Sequence, residues 1–167
     1  SENEYAMKAT MRLISFMGDA IKPIAGVCLE RLSGMVMETC KNPRNPTFSH
    51  YLFESVAALV KAGAGDPGLI ATFESLLFPP FQHVLQQDVV EFAPYVFQLL
   101  SQMIESHPSV LPGSYMGIFP ALLVPMLWDR SANVTPLVRL REAYLRKAPN
   151  EVHGAGRIQG ILGVVQE

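Results

Sequence analysis

The sequence predicts an all-α fold, an α-solenoid of about four antiparallel helix pairs. Three observations carry that reading. First, one segment recurs: Tyr5-Ala6-Met7-Lys8-Ala9-Thr10-Met11 is echoed from Tyr51, from Tyr95 and more faintly from Leu137, at separations of 46, 44 and 42 residues. A period in the forties filled with helical patterns marks stacked helix pairs, none of which can bury its apolar face alone. Second, apolar residues follow helical spacing throughout, and no alternating stretch of useful strand length occurs. Third, 49% of the 167 residues are apolar and only 17% are charged. Most helices must therefore be buried on more than one side, as inside a stack.

The first helix is expected from about Asn3 to Met17, with Tyr5, Met7, Met11, Ile14 and Phe16 as its apolar set. Gly18 and Asp19 punctuate it. A second helix follows Pro23 and runs to Lys41, with Ile24, Val27, Cys28, Leu32, Met35 and Val36 inward. Asn42-Pro43-Arg44-Asn45-Pro46 breaks the pattern, because proline disfavours helix in the residue before it. Asn45 then serves as N-cap with Pro46 at the first helical position, where a missing N–H costs nothing. That helix ends near Ala62, before Gly63-Ala64-Gly65, and Asp66-Pro67 repeats the device to start a partner running to Gln87. Pro79-Pro80 inside it predicts a kink or a break.

Asp88 with Glu91 three residues later reads as a capping box. The helix that follows carries Val89, Phe92, Val96, Leu99, Leu100 and Met103 on one face, with a bend at Pro94 and a stop at His107-Pro108. Its partner runs from about Gly113 to Asp129, interrupted at Pro120 and Pro125. A shorter helix from Thr135 to Lys147 follows. The last begins near Val152 and keeps helical spacing at Ile158, Ile161, Leu162 and Val165 up to Glu167. The pairs are thus residues 1–42, 43–87, 88–130 and 131–167, joined by short loops that force neighbours to pack. Neither end reads as a polar capping repeat. The chain is expected to be an internal part of a longer array, with apolar ends prone to self-association.

Several function classes find no support. A net charge of −2 and a pI near 6.1 lack the basic face that nucleic acid requires. Cys28 and Cys40 lie twelve residues apart in one predicted helix. That is roughly 18 Å at 1.5 Å per residue, too far to bridge, so they read as two reduced thiols. Ser1-Glu2-Asn3-Glu4 is not the basic start of a signal peptide, and no apolar run approaches membrane-spanning length. His50, His83, His107 and His153 are scattered, without partners at metal-ligand spacing. Each is expected at a surface or a helix end. Gly63 to Gly68 follows a helix and lacks the Gly-Lys-Ser/Thr ending of a phosphate loop, so it reads as a turn. Glu38, Glu54, Glu74 and Glu91 are isolated carboxylates on solvated faces. No catalytic group, cofactor or metal site is expected.

Two polar clusters remain. Trp128-Asp129-Arg130-Ser131-Ala132-Asn133 ends one helix and enters the next; Arg130 suits a C-terminal dipole, and Asn133 can help cap the following helix. Arg139, Arg141, Arg146 and Lys147 form a basic set with only Glu142 against it. Such a face either is solvated or meets an acidic protein surface.

Longer words in the chain resemble a known family. Ser114 to Leu123, Pro125, Leu127 to Arg130 and Pro136 to Leu140 carry the likeness, with Asn3 to Ala9, Asn45-Pro46 through His50-Tyr51, Asp88 through Gln98, and Gly160 to Val164. Together they resemble nuclear export receptors of the importin-β superfamily, and the likeness spans essentially the whole chain. The resemblance implies HEAT-type helix pairs and a non-catalytic scaffold. Such receptors wrap importin-α together with the GTPase Ran in its GTP state, and shuttle between nucleus and cytoplasm. It implies a convex side of first helices and a concave side formed here by residues 22–41, 67–87, 113–130 and 152–167. Asp129, Arg130, Arg139 and Arg141 are the partner-binding candidates it leaves. The alternative is a HEAT scaffold subunit in another assembly, such as a phosphatase or condensin-like complex.

Overall fold

The computed structural model describes residues 2–154. Among them every regular element is helical and none is a strand, which is the fold class expected. The chain forms two compact units that divide between Phe92 and Ala93.

In the first unit, α1 spans Glu4–Met17, a 3-10 turn covers Gly18–Ile24, and α2 spans Ala25–Cys40. Helices α3 (Pro46–Gly63) and α4 (Pro67–Gln86) follow. The starts obey the expected side-chain logic. The Asn3 side chain accepts the Ala6 N–H at 3.0 Å, and Asn45 accepts that of Phe48 at 3.0 Å ahead of Pro46. Asp66 Oδ1 accepts from Gly68 at 3.0 Å and Leu69 at 3.1 Å.

Between α3 and α4 the chain reverses in a type II turn. Ala64 sits at φ −59 and ψ 131 and Gly65 at φ +87. The Asp66 N–H closes the turn on the Gly63 carbonyl at 3.1 Å. Only a residue without Cβ takes that third position at no cost.

Packing within this unit is pair upon pair. Helix α1 lies against α3, and α2 lies against α3 and α4. Met7, Ile14, Leu29, Leu52, Phe53, Val56, Leu59, Phe73, Leu77 and Phe81 form the buried interior. Phe92 closes it, meeting Phe53 edge-on with ring centroids 5.0 Å apart.

Several expectations need correction here. Of the apolar set assigned to the first helix only Met7 and Ile14, two turns apart, are buried; Tyr5 and Phe16 are exposed. Ile24 and Val27 are exposed rather than inward. Helix α4 runs without a break through Pro79-Pro80. The prolines deprive the Ser75 and Leu76 carbonyls of amide partners, and burial of Leu77, Phe78, Pro80, Phe81 and Val84 offsets the loss.

Asp88 does not open a helix. It adopts φ +50, and the Val89 N–H returns to the Val84 carbonyl at 3.0 Å. This is the long bond of a Schellman cap, so Asp88 terminates α4.

In the second unit, α5 spans Ala93–Glu105, and Pro94 falls in its first turn rather than at a bend. The expected helix after Gly113 is three short pieces: α6 (Gly113–Ile118), a 3-10 turn (Phe119–Leu123) and α7 (Pro125–Trp128). Pro120 and Pro125 are the interruptions, and Val124 is held extended at ψ 119 before Pro125. Helix α8 (Ser131–Lys147) starts four residues before the expected Thr135, and α9 (Pro149–Gly154) begins before Val152. The remainder of the expected last helix lies outside the described residues.

Helix α5 packs on α8, which also meets α7 and α9. The buried Tyr144 hydroxyl donates to the Tyr115 carbonyl at 2.7 Å, and its ring meets Phe119 edge-on.

Candidate functional site

Of the candidate residues, Asp129 and Arg130 lie between the short α7 and α8, and Arg139 and Arg141 lie on α8. The turn between them is built by side chains. The Trp128 indole N–H donates to the Leu122 carbonyl at 3.0 Å, and the buried Asn133 Nδ2 donates to the Leu127 carbonyl at 2.9 Å. Proline supplies no N–H, so carbonyls near a helix interruption need donors from elsewhere. Asn133 was expected to cap the helix it begins. It sits instead in the first turn of α8 and satisfies the end of α7.

Asp129 is exposed on this turn and Arg130 is half-buried at the start of α8. The expectation that Arg130 neutralises a helix C-terminus fits its place just after α7, although it also occupies the N-cap of α8.

The four basic residues of α8 do not form one free face. Arg139 is engaged across the unit: its Nε and one Nη donate to the two Glu105 oxygens at 2.9 and 2.8 Å. That hydrogen bond draws the Glu105 carboxyl below the ordinary range, against a smaller opposing effect of burial, and nearby Arg146 adds a further pull. Lys147 donates to the His107 carbonyl at 2.7 Å. Arg141 is half-buried beside a small recess that Phe119, Leu140 and Tyr144 also line, and its Nε has no hydrogen-bond partner among the described residues. The expectation of Glu142 as the sole opposing charge is therefore corrected by Glu105, which lies 34 residues away in sequence.

The structure does not bring the four candidates to one point. Arg130 and Arg139 are nine residues apart on α8, roughly 13 Å along its axis. Arg139 and Arg141, two apart, face different directions. The arrangement suits distributed contacts with a protein surface rather than a small ligand.

Among the described residues no group of three or more His, Cys, Asp or Glu could hold a metal. His107 is buried, contrary to a surface position, but it does end α5; its Nδ1 faces both the Ser109 N–H and carbonyl, at 3.3 and 3.1 Å. Both cysteines are free thiols in α2. Burial pushes the Cys40 thiol up to about 11. No helix among the described residues is long and apolar enough to cross a membrane.

Comparison with known proteins gives one consistent result. Residues 1–167 match the family model described as CAS/CSE protein, C-terminus. The chain is 46% identical over 169 residues to Exportin-2 of Drosophila melanogaster, covering 99% of this chain and 17% of that protein. It is 42% identical over 170 residues to Exportin-2 of Homo sapiens, covering 100% of this chain and 18% of that protein. The chain thus spans less than a fifth of the length of the curated relatives it matches.

Proposed function

This chain belongs to the CAS/CSE family through the C-terminal part of those proteins, and we propose that it serves as a binding segment of a nuclear export receptor. In this reading the whole receptor carries importin-α to the cytoplasm in complex with Ran-GTP and shuttles between nucleus and cytoplasm. The four helix pairs, residues 1–42, 43–87, 88–130 and 131–167, act as one stretch of a longer scaffold. The segment contributes surface and no catalysis. The observation that carries the reading is the match to the family along every residue, joined to identities of 41–46% with proteins named Exportin-2.

The architecture supports a binding role. Within each unit helices pack face to face, α1 on α3 and α5 on α8, as in scaffolds whose outer surfaces hold other proteins. The exposed Asp129, the half-buried Arg130 and Arg141, and the ion-paired Arg139 offer modest polar contacts of the kind that large receptor surfaces add together.

The test is a pull-down of the full-length protein with importin-α, with and without GTP-loaded Ran. Capture that depends on Ran-GTP is expected. Capture indifferent to the nucleotide, or none, overturns the reading and favours a scaffold in another assembly. Charge reversal at Asp129 and Arg130 in the full-length protein is expected to weaken capture by about two- to tenfold, the scale of a peripheral ionic contact. Unchanged capture removes these two residues from the interface.

A further inference from the structure

The start of α8 presents an unengaged hydroxyl. Thr135-Pro136 is the one place in the chain where serine or threonine precedes proline. Thr135 is exposed, just past the first turn of the helix. Threonines inside helices often return their hydroxyl to the carbonyl four residues back. Thr10, Thr39 and Thr72 do so, at 2.9, 2.7 and 3.0 Å. Thr135 makes no such bond among the described residues, so its oxygen is open to an incoming electrophile.

The backbone beneath it is loosely held. Pro136 lies inside α8 and has no N–H for the Ala132 carbonyl. Proline also disfavours helical geometry in the residue before it, which is Thr135. No side chain caps the start of the helix, and Arg130 ahead of it is extended, at φ −88 and ψ 113. Against opening stand the bond from the Asn133 side chain to the Leu127 carbonyl and the burial of Asn133 and Pro136. A helix end short of backbone bonds opens at a free energy well below that of global unfolding. Opening presents Val134-Thr135-Pro136 in extended form, as a kinase cleft takes an acceptor.

The surroundings favour the phosphorylated product. Arg139 follows Thr135 by four residues on the same face of α8, with the anion on the N-terminal side of the cation. Its side chain is 47% exposed and is paired with Glu105, itself 43% exposed. A phosphate on Thr135 brings three acceptor oxygens and a charge of about −1.5 to −2, against the single charge of Glu105.

We propose that Thr135 is a phosphorylation site of proline-directed protein kinases, and that its phosphate competes with Glu105 for Arg139. In the reaction the Thr135 Oγ1 bonds to the γ-phosphorus of magnesium-bound ATP. The bond from that phosphorus to the β,γ-bridging oxygen breaks, ADP leaves, and the hydroxyl proton passes to the base of the kinase. An ion pair within α8 then replaces one between α5 and α8. The proposal is independent of which partners the receptor binds.

Two measurements on the full-length protein test it. In the first, the folded protein is incubated with a cyclin-dependent kinase and magnesium-ATP, and phosphopeptides are mapped by mass spectrometry. Phosphate is expected on Thr135 without denaturant. Pro136→Ala should slow its arrival by about tenfold or more, since alanine restores the helical bond and removes the proline that the kinase reads. Labelling of Thr135 only after unfolding in urea, no labelling there, or an equal rate in Pro136→Ala overturns the proposal. In the second, phosphorus-31 NMR against pH follows the second ionisation of the phosphate, ordinarily at about pH 6, with Thr135→Val identifying its signal by removing it. Pairing with Arg139 lowers that ionisation, so Arg139→Gln should raise it by about 0.2–0.7 of a pH unit, the range for an exposed ion pair. Glu105→Gln, which releases Arg139, should lower it further. Failure of either substitution to move the titration overturns the competition for Arg139.

Discussion

Gly63 has no room for even one more carbon. A Cβ placed there would lie 2.8 Å from Phe73 Cζ and closer still to its Cε2. Phe73 is itself 2% exposed and hemmed in by the α3–α4 interior. Gly63→Ala is therefore expected to destabilise the protein by about 1–3 kcal/mol through overpacking, read as a lower urea midpoint. The sequence showed Gly63 as a helix stop, and its residue type was legible; its reason was not, because Phe73 approaches from another helix. The same holds for Arg139. Its partner Glu105 could not be read from a pattern on α8, since only the packing of α5 on α8 brings them together. The folded Glu105 pKa lies below its ordinary value, so the pair's contribution is fully present above about pH 4.5 and is lost as pH falls through the depressed value. Both side chains are partly solvated, which limits the coupling to about 0.5–1 kcal/mol. A double-mutant cycle with Glu105→Gln and Arg139→Gln at pH 7 should show it, and it should fade as pH falls through the depressed value and shrink in high salt.

Among the elements, those bounded by local chemistry were the most legible. Asn45-Pro46 and Asp66-Pro67 begin helices by a bond that reaches two or three residues, so residue types suffice to place them. The α4–α5 connection shows the opposite case. Asp88 followed by Glu91 has the composition of a helix start, yet the left-handed cap puts Asp88 at an end. Glycine usually signals that cap, and none stands at this position. Pro120 and Pro125 mark the interruptions by residue type alone, but nothing local marks the donors that replace their missing N–H groups. Asn133→Ala removes one of those donors from a buried carbonyl. It should cost about 1–3 kcal/mol, more than a change at an exposed cap, and should be visible in thermal melts.

At the scale of the whole molecule, the low proportion of charge and the net charge of −2 leave little electrostatic repulsion between copies. Solubility should pass through a minimum near pH 6.1 and recover on either side, which turbidity against pH will show. The repeat period made the all-α class legible, because it depends on spacing summed over the chain. The candidate site was legible only as residue types: Asp129 and Arg130 share a turn, but Arg139 is committed to Glu105 and Arg141 is half-buried beside a recess lined by apolar and aromatic side chains. That turn also contains the only tryptophan in the chain, tied by its indole to the Leu122 carbonyl. The protein consequently carries its own optical probe beside the charges proposed to meet a partner. Emission from Trp128 should shift to longer wavelength in Asn133→Ala as the ring gains water, and a cargo seated on Asp129 and Arg130 would announce itself in the same light without any dye.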